Sequence, residues 1–311
     1  MKNYTYASLL ALLLLASTTW VSAQNVVVNT TKKYNNIKQI EVESGWLDVS
    51  YQGGEGSEVS VEAYLESNIA DQDIVFVMLG DVLKISYKSS SEKYNWNSKS
   101  EGYIKITGPV ALVLEVSGTS GNIDIQTLES ELTTLQLTSG NVAAAKIKGN
   151  LTLTATSGNL KAKGIEGNVD ARLTSGNTTL EDIQGAVQYG STSGNFTAKN
   201  IGGLLNVQLT SGNAKLENVK ELGTMRITSG NMTAVNAGLG SKTQFSGTSG
   251  NFTLQTPSDL GAFNYNLRST SGNLRVGNTS KEKSLDINNN AANTVRGNIT
   301  SGNITITNGL D

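Results

Sequence analysis

The chain has 311 residues, with no cysteine and no histidine, and its 24 basic and 26 acidic side chains leave a net charge of −2. Without cysteine it has no disulfide and no thiol-anchored lipid. Without histidine it lacks the commonest general base and the commonest zinc ligand, so no metal or cofactor site is expected, and its balanced charge gives no footprint for nucleic acid.

In chain order, Met1-Lys2 leads into an apolar run from Leu9 to Ala16 and then Val21-Ser22-Ala23, with small residues placed for a signal peptidase. This pattern predicts a secretory leader over residues 1–23, too short for a membrane span. No later stretch has the apolar length of a transmembrane helix. The mature chain is therefore expected to be exported, to the periplasm, the outer surface or the medium.

Residues 24–115 alternate apolar and polar side chains without a fixed period: Ile40 and Val42, then Leu47, Val49 and Tyr51, then Val59 and Val61, then Ile104 and Ile106. Such alternation predicts half-buried strands. Val75–Leu79 and Val82–Tyr87 flank Gly80-Asp81 as a hairpin. Ser44-Gly45-Trp46 reads as a degenerate copy of a corner that recurs later. The segment is expected to cap a longer structure or to form its first, wider coils. Its polar loop from Ser89 to Tyr103 carries Tyr94, Trp96 and Tyr103, whose flat apolar faces and polar edges make them candidate binding residues, or else a lid over the first coils.

From residue 116 to 311 the chain keeps a clock. Thr-Ser-Gly-Asn occurs ten times, with glycines at Gly121, Gly140, Gly158, Gly176, Gly194, Gly212, Gly230, Gly250, Gly272 and Gly302. The intervals from Gly140 to Gly230 are all 18 residues, the first is 19, and the last three lengthen to 20, 22 and 30. A fixed period of this length marks a solenoid. Stepping by 18 aligns apolar columns: Leu153, Ala171, Tyr189, Val207 and Met225; Ala162, Leu180, Ala198, Leu216 and Ala234; Ile165, Ile183, Ile201, Val219 and Ala237. A fourth column, Leu160, Thr178, Phe196, Ala214 and Met232, is interrupted only by Thr178. The glycines are expected at positive φ, the stacked asparagines in an amide ladder along the axis. Gly164, Asp182, Asn200, Asn218 and Asn236 mark a second corner suited to left-handed backbone, and Gly167, Gly185, Gly203 and Gly223 a third.

A left-handed helix of hexapeptide repeats would need an apolar residue every six positions, but Leu160 would then pair with Glu166 and Leu151 with Ser157. The expected fold is an all-β, right-handed parallel β-helix with coils of about 18 residues and a β-rich N-terminal cap; ten coils would make a rod of about 45–50 Å. After Asn303 only eight residues remain. Either the long-looped last coils fold over the C-terminal end or that end meets another copy.

The repeated Ser-Gly-Asn corners resemble those of the bacterial putative adhesin families, most nearly the putative auto-transporter adhesin head GIN domain of unknown function. The order upstream is similar too: alternating strands, the turn at Gly80-Asp81, and the strand Tyr103–Pro109 leading into Val116–Asn122. The resemblance covers about residues 35–311. It implies a β-helical envelope or surface protein of a kind common in Bacteroidetes-like bacteria, and it brings no catalytic residues.

Parallel β-helices also host polysaccharide lyases and glycosidases, whose sites need clustered carboxylates. Glu181, Asp182 and Glu217 are the densest acids of the repeats, and they read as solvated edge charges. The expectation is a non-enzymatic, adhesin-like binding scaffold with a glycan or a surface protein as partner. The alternative is a structural envelope protein that self-associates through its coil ends, and a polysaccharide-active enzyme comes third.

Overall fold

A computed structural model describes residues 25–69, 71–90 and 100–309. The leader expected over residues 1–23 lies outside them. The strands are β1 (Asn25–Tyr34), β2 (Gln39–Glu43), β3 (Asp48–Gly54), β4 (Val59–Ser67), β5 (Gln72–Leu79), β6 (Val82–Ser89), β7 (Ser100–Pro109), β8 (Val113–Gly118) and β9 (Asn122–Ile165). They continue as β10 (Val169–Ile183), β11 (Val187–Ser193), β12 (Phe196–Ser211), β13 (Ala214–Ala237), β14 (Gln244–Thr256), β15 (Phe263–Val276), β16 (Thr279–Ile287), β17 (Asn293–Ser301) and β18 (Ile304–Asn308). A single turn of 3₁₀ helix at Leu260–Ala262 is the one helical element among the described residues.

The fold is a parallel β-solenoid. Val169 lies beside Leu151, Gly176 beside Gly158 and Ile183 beside Ile165, an 18-residue step throughout. The 44-residue β9 runs unbroken through several corners. Most of these corners turn on a single residue at positive φ rather than on a loop, at Thr127, Gly140, Lys146, Gly149, Gly158 and Gly164, so the coil-to-coil hydrogen bonds continue around the bend. All four apolar columns point inward and are buried, Thr178 included. Tyr189 and Phe196 stack face to face in this core, with ring centroids 3.9 Å apart and planes 9° from parallel.

Four buried side-chain polar atoms among the described residues lack a hydrogen-bond partner, on Gln72, Thr133, Thr178 and Tyr189, and the first hydroxyl of the repeat core among them is that of Thr133. Thr133, seven residues before Gly140, occupies the place that Leu151, Val169 and Val187 hold in later coils, and its hydroxyl is buried with no hydrogen bond. An unpaired buried hydroxyl costs about 1–3 kcal/mol. Thr133→Val keeps the shape and removes that cost, so urea denaturation should show a gain of about 1 kcal/mol; a loss would mean that the hydroxyl has a partner in solution.

All ten Thr-Ser-Gly-Asn glycines are at positive φ, from 93° at Gly121 to 152° at Gly272. The second corner behaves likewise, with φ of 67° at Gly164 and 53–57° at Asp182, Asn200, Asn218 and Asn236. The third corner has a different cause. Gly167, Gly185 and Gly203 are not at positive φ, but a Cβ on each would lie within 2.5 Å of the backbone of the coil below.

The asparagines form the expected ladder. Side-chain amides donate to the Oδ1 of the coil below, from Asn141 to Asn122 (3.0 Å) through Asn251 to Asn231 (2.9 Å) and Asn303 to Asn251 (2.8 Å), and Asn273 joins through its backbone N–H to Asn303 Oδ1 (2.8 Å). The degenerate corner fits its lower end: Gly45 has φ 60°, its carbonyl accepts from the Thr119 N–H at 2.6 Å, and Asp48 Oδ1 accepts from the Asn122 side-chain amide at 3.1 Å.

Sequence order and stacking order part at both ends. β2 lies between β6 and β8, and β3 between β7 and β9, so the first coil in sequence is second in the stack. At the other end, β17 and β18 lie between β14 and β15. The last coil in sequence is thus an interior coil, with the Gly302 corner seated between Gly250 and Gly272. The Gly272 coil is outermost, and β16 runs back antiparallel along it. Of the two outcomes expected for this end, the longer coil folds over it. An Arg268 to Asp286 contact of 2.8 Å ties β16 down, and this hydrogen bond holds the Asp286 carboxyl below the usual carboxylate range.

Candidate functional site

The second corner does more than turn the chain. One left-handed residue per coil, namely Thr127, Lys146, Gly164, Asp182, Asn200, Asn218 and Asn236, forms one rail of a groove parallel to the axis. Two positions further along each coil, Glu129, Lys148, Glu166, Gln184, Gly202 and Lys220 form the other rail. Between the rails lie Leu128, Ile183, Ile201 and Val219, which belong to an inward-facing column and so present mainly backbone to the floor. The groove encloses about 900 Å³. Six coil intervals give it a length of about 29 Å.

The rails are well supplied with neutral hydrogen-bonding groups. Asn236 donates to Asn218 (2.8 Å), Asn218 to Asn200 (2.9 Å), and Asn200 to Asp182 (2.7 Å). This second ladder fixes the amides in one direction, one per coil. The charges balance, with Lys146, Lys148 and Lys220 against Glu129, Glu166 and Asp182. Lys148 binds the Glu129 carboxylate, which raises its pKa chiefly through that hydrogen bond. Lys146 and Lys220 have no ion-pair partner among the described residues. The strands cross the groove at right angles to its length, and their N–H and C=O groups are used between coils.

The acids singled out in the sequence lie at this corner or beside it, and each faces a lysine of a neighbouring coil. Lys163 is 3.1 Å from Glu181 and 3.7 Å from Asp182, and Lys199 is 3.3 Å from Glu217. Among the described residues no three acidic side chains converge as a metal site would require.

Of the candidate binding aromatics, Tyr94 and Trp96 lie outside the described residues. Tyr103 lies on β7, where both its ring and its hydroxyl are engaged. Its ring stacks on Tyr64 with centroids 5.6 Å apart, and Lys105 Nζ sits 3.9 Å from its centroid. Its hydroxyl donates to Glu62 Oε1 at 2.6 Å, which raises its pKa. Tyr64 is pushed up to about 12 in the same way by its hydrogen bond to Glu66. Tyr64, Lys105 and Glu62 around Tyr103, with Glu66 holding Tyr64, thus make this patch a cross-strand brace.

Sequence reasoning placed the left-handed residues of the second corner but not the groove they border. The signal was present two positions on, where Glu129, Lys148, Glu166, Gln184 and Lys220 recur at the coil interval as exposed long side chains. No helix among the described residues is long and apolar enough to cross a membrane.

A family model, Toastrack DUF4097, matches the chain twice, over residues 37–203 and 202–307. No curated protein matches. Among solved structures, the chain is similar to a putative lipid binding protein from Parabacteroides distasonis, with 15% identity over 89% of this chain and 96% of that one and a TM-score of 0.38. A putative adhesin from the same organism has 13% identity over 90% and 97%, with a TM-score of 0.35. A putative cell adhesion protein from Clostridium sporogenes has 11% identity over 90% and 100%, with a TM-score of 0.22.

Proposed function

This chain belongs to the Toastrack DUF4097 family, a family of unknown function, and we propose that it is an exported, non-enzymatic binding scaffold whose axial groove holds a linear, uncharged glycan. The leader pattern of residues 1–23 supports export. The observation that carries the reading is the groove itself, which runs past seven coils and in which Asp182, Asn200, Asn218 and Asn236 set a fixed carboxylate and three fixed amides at about 4.8 Å intervals. A polymer with hydroxyl groups at a regular repeat can bond such a rail many times over, each contact adding a little.

The chemistry disfavours other polymers. An extended peptide gains its affinity by adding a strand to an open sheet edge, and the groove walls offer none. A polyanion would want an excess of lysine, and the rail charges cancel. The ion-paired state of Glu181, Asp182 and Glu217 supports binding over hydrolysis. Tyr94, Trp96 and Tyr103 remain a second contact region in this proposal.

Gln184 is exposed at the middle of the groove, and Gln208 is exposed on another face. With cello-, xylo- and manno-hexasaccharides as probes in isothermal titration, at least one should bind. Gln184→Trp should weaken it at least about tenfold, worth about 1.4 kcal/mol, while Gln208→Trp leaves it unchanged. Binding untouched by Gln184→Trp would remove the groove from the account. Cleavage of a probe lost in Glu181→Gln or Glu217→Gln would replace binding by catalysis.

A further inference from the structure

The regular 18-residue step fails between Gly230 and Gly250, which are 20 residues apart. The extra length falls at the third corner, over residues 238–243, and hydrogen bonds hold this longer loop in one shape. The Gly240 N–H donates to Thr243 Oγ1 at 2.8 Å and the Leu239 N–H to Ser258 Oγ at 2.9 Å. The Thr243 hydroxyl is buried and donates to the Leu222 carbonyl at 2.6 Å. Ser241 and Lys242, both exposed, are therefore presented at a fixed place on the surface.

A second irregularity brings an arginine to the same place. Because the last coil is interleaved, β17 lies beside β14 and Arg296 is in register with Gln244. The loop and the coils beside it enclose a pocket of about 340 Å³. Lys242 and Arg296 line it, no acidic residue does, and neither cation has an ion-pair partner among the described residues. Glu221 sets its carboxylate against Gly240 but does not line the pocket. Asp286, two strands outward from Arg296, is already bonded to Arg268 and Asn266.

The neutral groups of the pocket ask for the same kind of ligand. Asn206 Oδ1 accepts from the Thr224 N–H at 2.8 Å, and Thr224 Oγ1 accepts from the Gln244 amide at 2.8 Å. Each bond occupies an acceptor and leaves a donor, the Asn206 amide and the Thr224 hydroxyl, facing the ligand's side. Two cations among donors suit an oxyanion, since charge-assisted hydrogen bonds are about twice as strong as neutral ones and the guanidinium fork matches a carboxylate or phosphate. The size asks for more than a bare ion. At about 30 Å³ per water the pocket holds about eleven waters, room for one sugar ring, and Leu204 gives it an apolar wall for the ring's C–H face.

We propose that this pocket binds an acidic monosaccharide unit, with its carboxylate or phosphate held between Lys242 and Arg296. The pocket shares no lining residue with the axial groove, so the two readings stand or fall separately.

Isothermal titration of the purified chain at low salt is the test, with galacturonate and glucose 6-phosphate as probes beside glucose and inorganic phosphate. At least one acidic sugar should bind, one per chain, at least about tenfold more tightly than glucose or phosphate, and which of the two binds identifies the oxyanion. Arg296→Gln and Lys242→Gln should each weaken that binding at least about tenfold, the loss of one charge-assisted bond. Ser241→Asp, which sets a like charge at the mouth, should abolish it. Lys161→Gln, at an exposed lysine on another face, should leave it unchanged. All four substituted side chains are exposed, so the circular dichroism of the variants should match that of the parent chain. Failure of both acidic sugars to bind, inorganic phosphate binding as tightly as either, or binding indifferent to Arg296→Gln and Lys242→Gln would overturn the proposal.

Discussion

Gly176→Val should destabilise the chain by about 3–6 kcal/mol, the sum of strained backbone and forced overpacking. Thr174→Val, two residues earlier and exposed, should stay within about 0.5 kcal/mol. The difference has two independent sources. Gly176 has φ 127°, a conformation that side chains with a Cβ rarely adopt. A Cβ there would also lie 1.7 Å from the carbonyl oxygen of Gly158 and 2.8 Å from its carbon. Both are backbone atoms of a coil held above and below, so they cannot swing aside as the end of a side chain could. The glycines therefore stack on one another, and Gly194→Ala should behave almost as badly as Gly176→Val. Thermal or urea unfolding measures all three; equal losses at Thr174 and Gly176 would contradict the stacked-corner geometry.

Removing residues 293–311 should abolish cooperative folding, although a solenoid usually tolerates the loss of its last repeat because that repeat touches only one neighbour. Here the deleted segment is an interior coil. It carries Val295, Ile299, Ile304 and Ile306, all buried, between β14 on one side and β15 on the other. At about 1.5–3 kcal/mol per buried side chain the loss is about 6–12 kcal/mol, the scale of a whole domain's stability. It also leaves two unpaired strand edges facing each other across a gap. The absence of native cysteine gives a direct check on the order of coils. Ser249 and Ser301 are neighbours in register, and so are Ser271 and Ser301. Ser249→Cys with Ser301→Cys should form a disulfide under mild oxidation. Ser249→Cys with Ser271→Cys, two coil steps or about 9.6 Å apart, should not, since bridged Cα atoms lie within about 7 Å. A soluble truncated chain with a sharp transition, or the reverse pattern of disulfides, would put the last coil at the end of the stack.

Periodicity made the repeated coils legible. A motif returning every 18 residues fixes which residues stack, and alternation within the unit fixes which face inward, so all four columns and the amide ladder could be written from the sequence. Ser44-Gly45-Trp46 was readable as a corner for the same reason, but that Asp48 opens the ladder was not, because aspartate replaces asparagine there. The interleaving at the ends could not be read. It depends on β2, β3, β17 and β18 pairing with strands far away in sequence, and alternation says nothing about which of two edges a strand will join. The third corner was located but not explained, since its glycines answer to close approach between coils and not to φ. The groove escaped because it is a property of the cross-section: the left-handed residue shows in the sequence, while the concave strip beside it appears only once the coils are stacked. The aromatic residues that drew attention in the sequence did so by type alone, and Tyr103 is held by Tyr64, Lys105 and Glu62.

The lack of cysteine also permits the most direct test of where a ligand lies. Gln184→Cys and Gln208→Cys, each carrying a single environment-sensitive dye, place one reporter in the groove and one on another face. Addition of the hexasaccharide that the unlabelled chain binds should change the emission at position 184, with the same midpoint as the calorimetric titration, and leave position 208 silent. A response at 208 with silence at 184 would show that the ligand sits elsewhere on the solenoid and that the groove is not its site.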